Sequence, residues 1–308
     1  METYILDIQK MSTEDGPGIR TTVFFKGCNL KCKWCQNPES IPFYRQKYWV
    51  KDKCIGCLSC KEACEINAID FDEEGLKKDD KVCNFCLKCA EECPTNAIEV
   101  KGRKIEIQEL VKELMKDKVF YDKSNGGVTL SGGEAALHWE YAYELLKELK
   151  KRDVHTALDT AGCYPYRILQ KLLEYTDLIL YDIKHIDNER HKELTGVENK
   201  LILQNAKRLG SLEKPEIWVR TPIIPDATDS EENIKGIGKF IKEHMKNIEK
   251  WELVAFNNLS REKYKLLEKQ WEYKDTQLME KEKMQKLTEL AKKYHKNATW
   301  SGATRVEV

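Results

Sequence analysis

The chain has 308 residues, which is enough for one large domain or two modest ones with a buried core. Lys and Arg number 52, as do Asp and Glu, so the formal net charge of zero gives no reason to expect nucleic acid or an acidic membrane as a partner. The N-terminus lacks the basic start and apolar core of a signal peptide, and no apolar run reaches the roughly 18–20 residues of a membrane span, so we expect a cytoplasmic protein.

Three cysteines directly follow the first predicted strand, Thr21–Lys26. They are Cys28, Cys32 and Cys35, with the spacing C-x3-C-x2-C. The cytosol keeps thiols reduced, so metal ligation is a better interpretation of the chain's twelve cysteines than disulfides. Three thiolates can hold three corners of a cubic iron–sulfur cluster and leave one iron without a protein ligand. That open iron can bind and activate a small molecule, so the motif indicates chemistry and not only electron storage.

Eight further cysteines form two runs with the spacing C-x2-C-x2-C-x3-C, each followed by the phrase Asn-Ala-Ile. The runs are Cys54, Cys57, Cys60 and Cys64, then Cys83, Cys86, Cys89 and Cys93. They resemble the bacterial two-cluster ferredoxin, in which the fourth cysteine of each run ligates the other cluster. The resemblance implies one cluster on Cys54, Cys57, Cys60 and Cys93, and another on Cys83, Cys86, Cys89 and Cys64. Zinc sites are the alternative, but two complete four-cysteine runs favour clusters.

Residues 50–100 are therefore predicted to be an inserted ferredoxin-like α+β domain, stapled by its clusters because its core is small. Residues 1–49 and 101–308 alternate apolar runs with amphipathic stretches, which predicts βα units and a parallel sheet. The remaining predicted strands are Val128–Ser131, His155–Thr160, Leu178–Ile183, Ile217–Ile223 and Trp251–Phe256. The predicted helices are Gln108–Phe120, Glu134–Lys150, Arg167–Glu174, Ser230–Met245 and Glu280–Tyr294. Six such units predict an α/β fold of the partial (β/α)6 type, an incomplete version of the eight-fold barrel.

Polar or glycine residues lie in or directly after the predicted strands, where the active sites of such barrels gather. They are Ser131-Gly132-Gly133-Glu134, Asp159-Thr160, Asp182-Ile183-Lys184, Arg220 and Asn257. Each alone is weak evidence, since a glycine pair most often forms only a turn. Together with the three-cysteine motif, they predict one cleft. Cys163, the twelfth cysteine, is predicted to be a small buried apolar residue.

At this point the chain resembles the radical S-adenosylmethionine (SAM) enzymes and, among them, the activating enzymes of glycyl radical enzymes. The motifs that carry the resemblance span nearly the whole chain. They are Asp15–Thr21, the three-cysteine motif with Trp34, Gly126–Glu134, Thr156–Gly162, Asp182–Lys184 and Val219–Pro225. The two-cluster insert is typical of the larger activases.

The resemblance implies that SAM chelates the open iron of the cluster on Cys28, Cys32 and Cys35, and that these cysteines and Lys184 are catalytic. The implied SAM contacts are Trp34, Gln36, Gly132, Gly133, Glu134, Asp159, Asp182, Lys184, Arg220 and Asn257. A monovalent cation near the aspartates is a further possibility, open at this stage. The implied cofactors are three 4Fe-4S clusters and SAM.

The implied reaction is reductive cleavage of SAM to a 5′-deoxyadenosyl radical, which removes a hydrogen from a glycine of the partner, a glycyl radical enzyme. The expected electron donor is a flavodoxin or ferredoxin, and the expected state is a monomer. The extra clusters are interpreted as an electron relay in preference to a structural or docking module. Oxygen-sensitive clusters favour an anaerobic setting.

Two departures from the family pattern concern Glu14 and Asn257, which stand where many members have His. Asn257 can still donate and accept hydrogen bonds, so its part in SAM binding stays open.

The sequence leaves two other functions to compare with glycyl radical installation. A radical SAM enzyme acting on a small molecule or peptide fits the Asp-Gly-Pro-Gly-Ile-Arg phrase less well. A non-catalytic iron–sulfur electron carrier leaves the three-cysteine motif unexplained.

Overall fold

The computed structural model describes residues 2–79 and 81–306, so the predicted domain limits Met1 and Val308 lie outside the described residues. The strands are β1 (Ile5–Ser12), β2 (Arg20–Phe25), β3 (Gln46–Trp49), β4 (Ile69–Asp72), β5 (Gly75–Lys78), β6 (Ile98–Lys101), β7 (Gly127–Gly132), β8 (His155–Thr160), β9 (Leu178–Asp182), β10 (Glu216–Ile223), β11 (Ile248–Ala255) and β12 (Ala298–Ser301). The α-helices are α1 (Ser59–Glu62), α2 (Lys88–Glu91), α3 (Ile107–Leu114), α4 (Lys118–Ser124), α5 (Trp139–Lys150), α6 (Tyr166–Leu173), α7 (Asn188–Thr195), α8 (Lys200–Leu209), α9 (Glu231–His244), α10 (Arg261–Leu266) and α11 (Lys281–Lys292).

The main sheet of the described chain has the strand order β1-β2-β7-β8-β9-β10-β11-β12. Every pairing from β2 to β12 is parallel, and β1 alone in this sheet pairs antiparallel, at the edge beside β2. The six predicted strands are present and lie side by side in chain order, so the predicted α/β fold with a mostly parallel sheet is confirmed. The edge strands β1 and β12 are additions to that prediction.

Helices bury their apolar faces against this sheet. In α5, Ala142, Leu145, Leu146 and Leu149 are fully buried, which matches the spacing of an amphipathic helix. Each buried leucine contributes about 1.5–3 kcal/mol of transfer free energy. No helix in the ranges 2–79 and 81–306 is both long and apolar enough to cross a bilayer.

The Asp15–Thr21 phrase holds the first strands of the sheet together. The fully buried Arg20 donates from Nε to Thr129 Oγ1 at 2.6 Å and from a guanidinium nitrogen to the Val128 carbonyl at 2.8 Å. Asp15 accepts hydrogen bonds from the hydroxyls of Ser12 and Thr22 at 2.6 and 2.7 Å. The arginine and the aspartate thus link β1, β2 and β7, and the phrase acts on the fold rather than at the cavity described below.

Two predicted helices differ from the observed ones. The stretch predicted as Gln108–Phe120 is α3, a 3-10 turn over Met115–Asp117, and α4. There the Tyr121 hydroxyl donates to the Leu114 carbonyl at 3.0 Å, and Asp117 accepts from the Thr21 hydroxyl at 3.0 Å. These tertiary contacts replace the regular helical pattern. The stretch predicted as Glu134–Lys150 begins with a 3-10 turn, Ala135–His138, before α5.

Residues 46–101 form a smaller unit. The strands β3 and β6 pair antiparallel, with Trp49 opposite Ile98, and β4 and β5 form a hairpin. The one-turn helices α1 and α2 carry Cys60 and Cys89, which are buried in a small cluster with Ile69 and Ile98. All eight cysteines of the two runs lie in this unit.

Candidate active site

A cavity of about 270 Å³ opens where the parallel strands end. Twelve of the residues predicted from the sequence line it, and they come from the cysteine motif and from five strand ends. They are Cys28, Cys32, Trp34, Cys35, Gln36, Gly132, Gly133, Asp159, Asp182, Lys184, Arg220 and Asn257. The remaining predicted residue, Glu134, lies behind the cavity wall.

The cysteine loop is fixed by backbone hydrogen bonds to distant segments. The Lys31 and Lys33 amides donate to the carbonyls of Thr195 and Leu194 at 2.7 and 3.0 Å, at the end of α7. The Cys28 amide donates to the Ile41 carbonyl at 3.0 Å. The loop therefore keeps its shape through contacts that do not involve its thiols, which leaves the thiols available as ligands.

The three thiols fit a metal cluster better than any uncomplexed role. Burial raises the pKa of Cys28 and of Cys32, and it raises the pKa of Cys35 to about 12. Three such thiols on one wall of a cavity are neutral on their own, whereas bound iron deprotonates a coordinating thiol. All twelve cysteines are in the described part of the chain, and none forms a disulfide.

The Gly132-Gly133 turn brings the end of β7 against the start of the cysteine loop. The Gly133 amide donates to the Phe25 carbonyl and the Glu134 amide donates to the Gly27 carbonyl, both at 2.8 Å. A Cβ on Gly133 would lie 2.3 Å from the Gly27 oxygen, so only glycine permits this approach. The glycines are thus needed for the position of Cys28, whether or not a ligand also approaches their backbone.

Glu134 lies behind the cavity wall and holds part of it in place through hydrogen bonds. It is 1% exposed and accepts hydrogen bonds from the Thr160 hydroxyl at 2.9 Å and from the Ala161 amide at 3.0 Å. Burial raises the pKa of Glu134 to about 7. In this position the carboxylate fixes the Thr160-Ala161 segment, both residues of which line the cavity.

Opposite charges alternate across the cavity floor. Arg220 lies 3.7 Å from Asp159 and 3.5 Å from Glu252, measured between side-chain nitrogen and oxygen, and Lys184 pairs with Asp182. Burial raises the pKa of Asp159 to about 6, although Arg220 acts in the opposite direction. For Lys184, burial is outweighed by the Asp182 carboxylate, so its pKa is raised. Such a floor suits a ligand that carries both an ammonium and a carboxylate.

Sequence reasoning missed Glu252, although an acidic residue inside the apolar strand Trp251–Phe256 is a detectable signal. Arg220 is in register with Glu252 on the neighbouring strand β11 and with Asp182 on the other neighbouring strand, β9. A parallel alignment of the predicted strands therefore identifies the charged row.

A segment that begins at the predicted residue Asn257, called here the strap (residues 257–271), covers the cysteine loop. Beyond Asn257, sequence reasoning did not predict it to be part of the site. Gln36 Nε2 donates to the Asn257 carbonyl at 2.9 Å, and the Ser260 hydroxyl donates to Gln36 Oε1 at 2.7 Å. The Trp271 indole donates to the Lys33 carbonyl at 3.1 Å. The strap thus joins the last predicted strand end to the residues around the cysteine motif.

One cysteine of the second run in the insert lies beside three cysteines of the first run. Cys93 lies with Cys54, Cys57 and Cys60 around a second, small cavity, together with Trp49. The amides of Ala68 and Ala97 donate to the sulfurs of Cys64 and Cys93, both at 3.2 Å. Amide donors of this kind fit a sulfur that carries negative charge, as a cluster ligand does.

Comparisons with known proteins agree with this geometry. Residues 81–235 match the family described as the radical SAM superfamily, and residues 53–97 match the 4Fe-4S dicluster domain. The trans-4-hydroxy-L-proline dehydratase activating enzyme of Clostridioides difficile is 38% identical over 293 residues, covering 94% of this chain and 96% of that protein. The choline trimethylamine-lyase activating enzyme of Oleidesulfovibrio alaskensis is 39% identical over 275 residues, covering 87% of each.

Among solved structures, Streptococcus suis SuiB bound to the precursor peptide SuiA aligns with a TM-score of 0.51 and 15% identity, over 90% of this chain and 47% of that chain. This likeness concerns the fold alone. The two relatives named above match along most of their length, and both are activating enzymes. The chain belongs to the radical SAM superfamily and, within it, to the activating enzymes of glycyl radical enzymes.

Proposed function

We propose that this enzyme installs a glycyl radical in a partner enzyme by reductive cleavage of SAM. The observation that carries the proposal is the single cavity shared by Cys28, Cys32 and Cys35 with the charged floor of Asp159, Asp182 and Arg220. Whole-length similarity to activating enzymes supports it against a small-molecule or peptide substrate and against a non-catalytic carrier.

The residues of the chain have separate tasks in this reaction. Cys28, Cys32 and Cys35 hold a 4Fe-4S cluster, which when bound supplies the electron for SAM cleavage. Arg220 faces the carboxylate of SAM, and the acidic residues of the floor face its ammonium and ribose. Lys184, fixed by Asp182, keeps a positive charge beside Cys32.

Apolar side chains close the rest of the cavity. Trp34 and Phe256 are 5% and 2% exposed, and both line it together with Ile224. A dry wall suits a reaction that generates a reactive species, because it limits side reactions with water. The open side of the cavity is where a glycine-bearing loop of the partner would enter.

The proposal extends to three 4Fe-4S clusters and two domains. The second cluster is assigned to Cys54, Cys57, Cys60 and Cys93, and the third to Cys83, Cys86, Cys89 and Cys64. Residues 50–100 are the ferredoxin-like domain, and residues 1–49 with 101–308 are a partial (β/α)6 barrel. The grouping of Cys93 with the first run, and the stem formed by β3 and β6, support this division.

The proposed role of the two extra clusters is to relay electrons from a flavodoxin or ferredoxin. Replacing Cys54, Cys57 and Cys60 by Ala is expected to slow radical formation when a protein reductant is used and to spare it with a chemical reductant. Iron analysis must show that the active-site cluster is retained. Equal rates of wild type and variant with the protein reductant would refute a required relay.

Electron paramagnetic resonance tests the main function. The reconstituted enzyme is incubated anaerobically with SAM, reductant and candidate glycyl radical enzymes, and a persistent glycyl doublet is the expected result. The matched control replaces the candidate glycine of the partner by Ala, which abolishes the doublet. SAM cleavage with no doublet, for every partner encoded next to this chain's gene, would contradict the proposal.

A further inference from the structure

Lys47 places a buried positive charge on one of the two cysteine groups of the insert. It lies on β3, is 6% exposed, and donates from Nζ to Cys83 Sγ at 2.9 Å and to Cys89 Sγ at 3.7 Å. The Phe85 ring lies 5.1 Å from the same ammonium. Burying an ammonium is costly unless negative charge faces it, and thiolates of a cluster provide that charge.

The fourth cysteine of each run accepts an equivalent amide hydrogen bond, but the described residues provide no charged donor to the other group. The donors shown for it are neutral: the Ser59 hydroxyl lies 3.4 Å from Cys57 Sγ, and the Ala97 amide and the Thr95 hydroxyl lie 3.2 and 3.8 Å from Cys93 Sγ. The sequence repeat therefore does not extend to the charges around the sulfurs. Lys47 lies outside the repeat, on the stem strand.

Contacts along β3 give the two groups an order relative to the active site. Gln46 accepts a hydrogen bond at 2.9 Å from Lys26, which is separated from Cys28 only by Gly27. The next residue, Lys47, reaches Cys83, and Trp49 at the far end lines the cavity of Cys54. Along β3, the residue that contacts Cys83 and Cys89 thus comes between the residue that contacts Lys26 and the residue that lines the cavity of Cys54.

We propose that Lys47 raises the reduction potential of one auxiliary cluster above that of the other. The cluster with the higher potential is the one held by Cys83, Cys86, Cys89 and Cys64, and the other is held by Cys54, Cys57, Cys60 and Cys93. A positive charge in a buried setting stabilises the electron that a cluster accepts. When bound, this cluster would accept one electron from an external flavodoxin- or ferredoxin-type reductant, and Lys47 would stabilise the reduced form. No bond forms or breaks. The inference rests on the cluster assignment proposed above.

The test is a redox titration of the anaerobically reconstituted full chain, followed by electron paramagnetic resonance. Lys47→Gln and Lys47→Met remove the charge, Lys47→Arg keeps it, and Lys53→Gln is the control. Lys53 precedes Cys54 and pairs with Glu99 at 2.7 Å, half-exposed. We expect both neutral variants to lower the midpoint of one auxiliary cluster and leave the other unchanged, with Lys47→Arg and Lys53→Gln close to wild type.

Unchanged midpoints in the neutral variants, equal shifts of both auxiliary clusters, or the same drop in Lys47→Arg would overturn the inference. Loss of that cluster in both neutral variants would also overturn it, because the role of Lys47 would then be structural. Iron and sulfide content of the wild type distinguishes an error about Lys47 from an error about the cluster assignment. Three clusters without a shift contradict only the inference, whereas a single cluster contradicts the assignment as well.

Discussion

The Gln36 side chain donates to the main-chain carbonyl of Asn257 at 2.9 Å, so the strap holds the cysteine loop through a backbone atom. The Asn257 side chain instead accepts from the Leu259 amide at 3.2 Å, within the strap itself. The departure from histidine at this position therefore leaves the link between strap and loop intact.

This relationship predicts that Gln36→Ala weakens SAM binding more than Asn257→Ala. The glutamine change removes the two side-chain hydrogen bonds to the strap, each contributing about 1 kcal/mol, so we expect SAM affinity to fall by up to about thirtyfold. Calorimetric titration of the cluster-loaded enzyme with SAM measures this. A larger loss for Asn257→Ala would show that the Asn257 side chain itself contacts SAM.

Gly133→Ala is predicted to displace the cysteine loop. Its Cβ would lie 2.3 Å from the Gly27 oxygen, and overpacking of this kind costs about 1–3 kcal/mol. We expect lower iron content at the active-site cluster and a lower unfolding temperature. Gly196→Ala is the control for backbone strain without a clash: its Cβ would meet nothing closer than 3.6 Å, but its φ of +81° is left-handed, so it should lower the unfolding temperature and leave the iron content unchanged. Full iron content in Gly133→Ala would contradict the packing argument.

Glu134 predicts a pH dependence of stability. Its pKa is raised to about 7 in the folded state, so the folded protein binds its proton more tightly than the unfolded chain does. The protonated Glu134 carboxyl is therefore tolerated at low pH, whereas the buried carboxylate is not. As the pH rises from about 4.5 towards 7, the free energy of unfolding falls by an amount on the order of 3 kcal/mol.

The measurement compares unfolding temperatures of wild type and Glu134→Gln between pH 5 and 8. The variant cannot ionise at this position, so its unfolding temperature should rise relative to wild type with increasing pH, whatever the fixed cost of the substitution. A constant difference across the range would show that the buried carboxylate does not titrate there.

Arg220→Met is predicted to cost about 3 kcal/mol of stability, because it leaves the buried carboxylates of Asp159 and Glu252 without their shared cation. SAM binding should weaken as well. Arg152→Met, which breaks the more exposed pair with Glu148, is the control and should change little. Denaturant unfolding and SAM titration check the two effects, and equal stability of the two variants would refute the role of Arg220 as a buried counterion.

Much of the fold was predictable because strands of a parallel sheet are buried on both faces and appear as continuous apolar runs. Edge strands lack that signal: β1 is mostly exposed along its length, and β12 has only four residues. The helix α7 is largely polar, which hides its pattern.

Cavity residues were predictable where they end strands, since parallel strands end on the same side of the sheet. The strap was not, because its hydrogen bonds join residues more than 200 positions apart, such as Ser260 and Gln36. Lys47 was missed because its contacts with the two cysteines depend on the folded arrangement of the insert. A lysine in a polar segment gives no sign that its ammonium will lie against two cysteines.

The pairing of Trp49 with Ile98 has a consequence for how the insert is joined to the rest of the chain. The insert leaves and re-enters the barrel at adjacent points, so a tight hairpin turn between these two residues would close the gap without moving either flank. Removal of residues 50–97 then requires a change at one joint only. A shorter chain, with those residues replaced by a tight turn, is the minimal form that the topology allows.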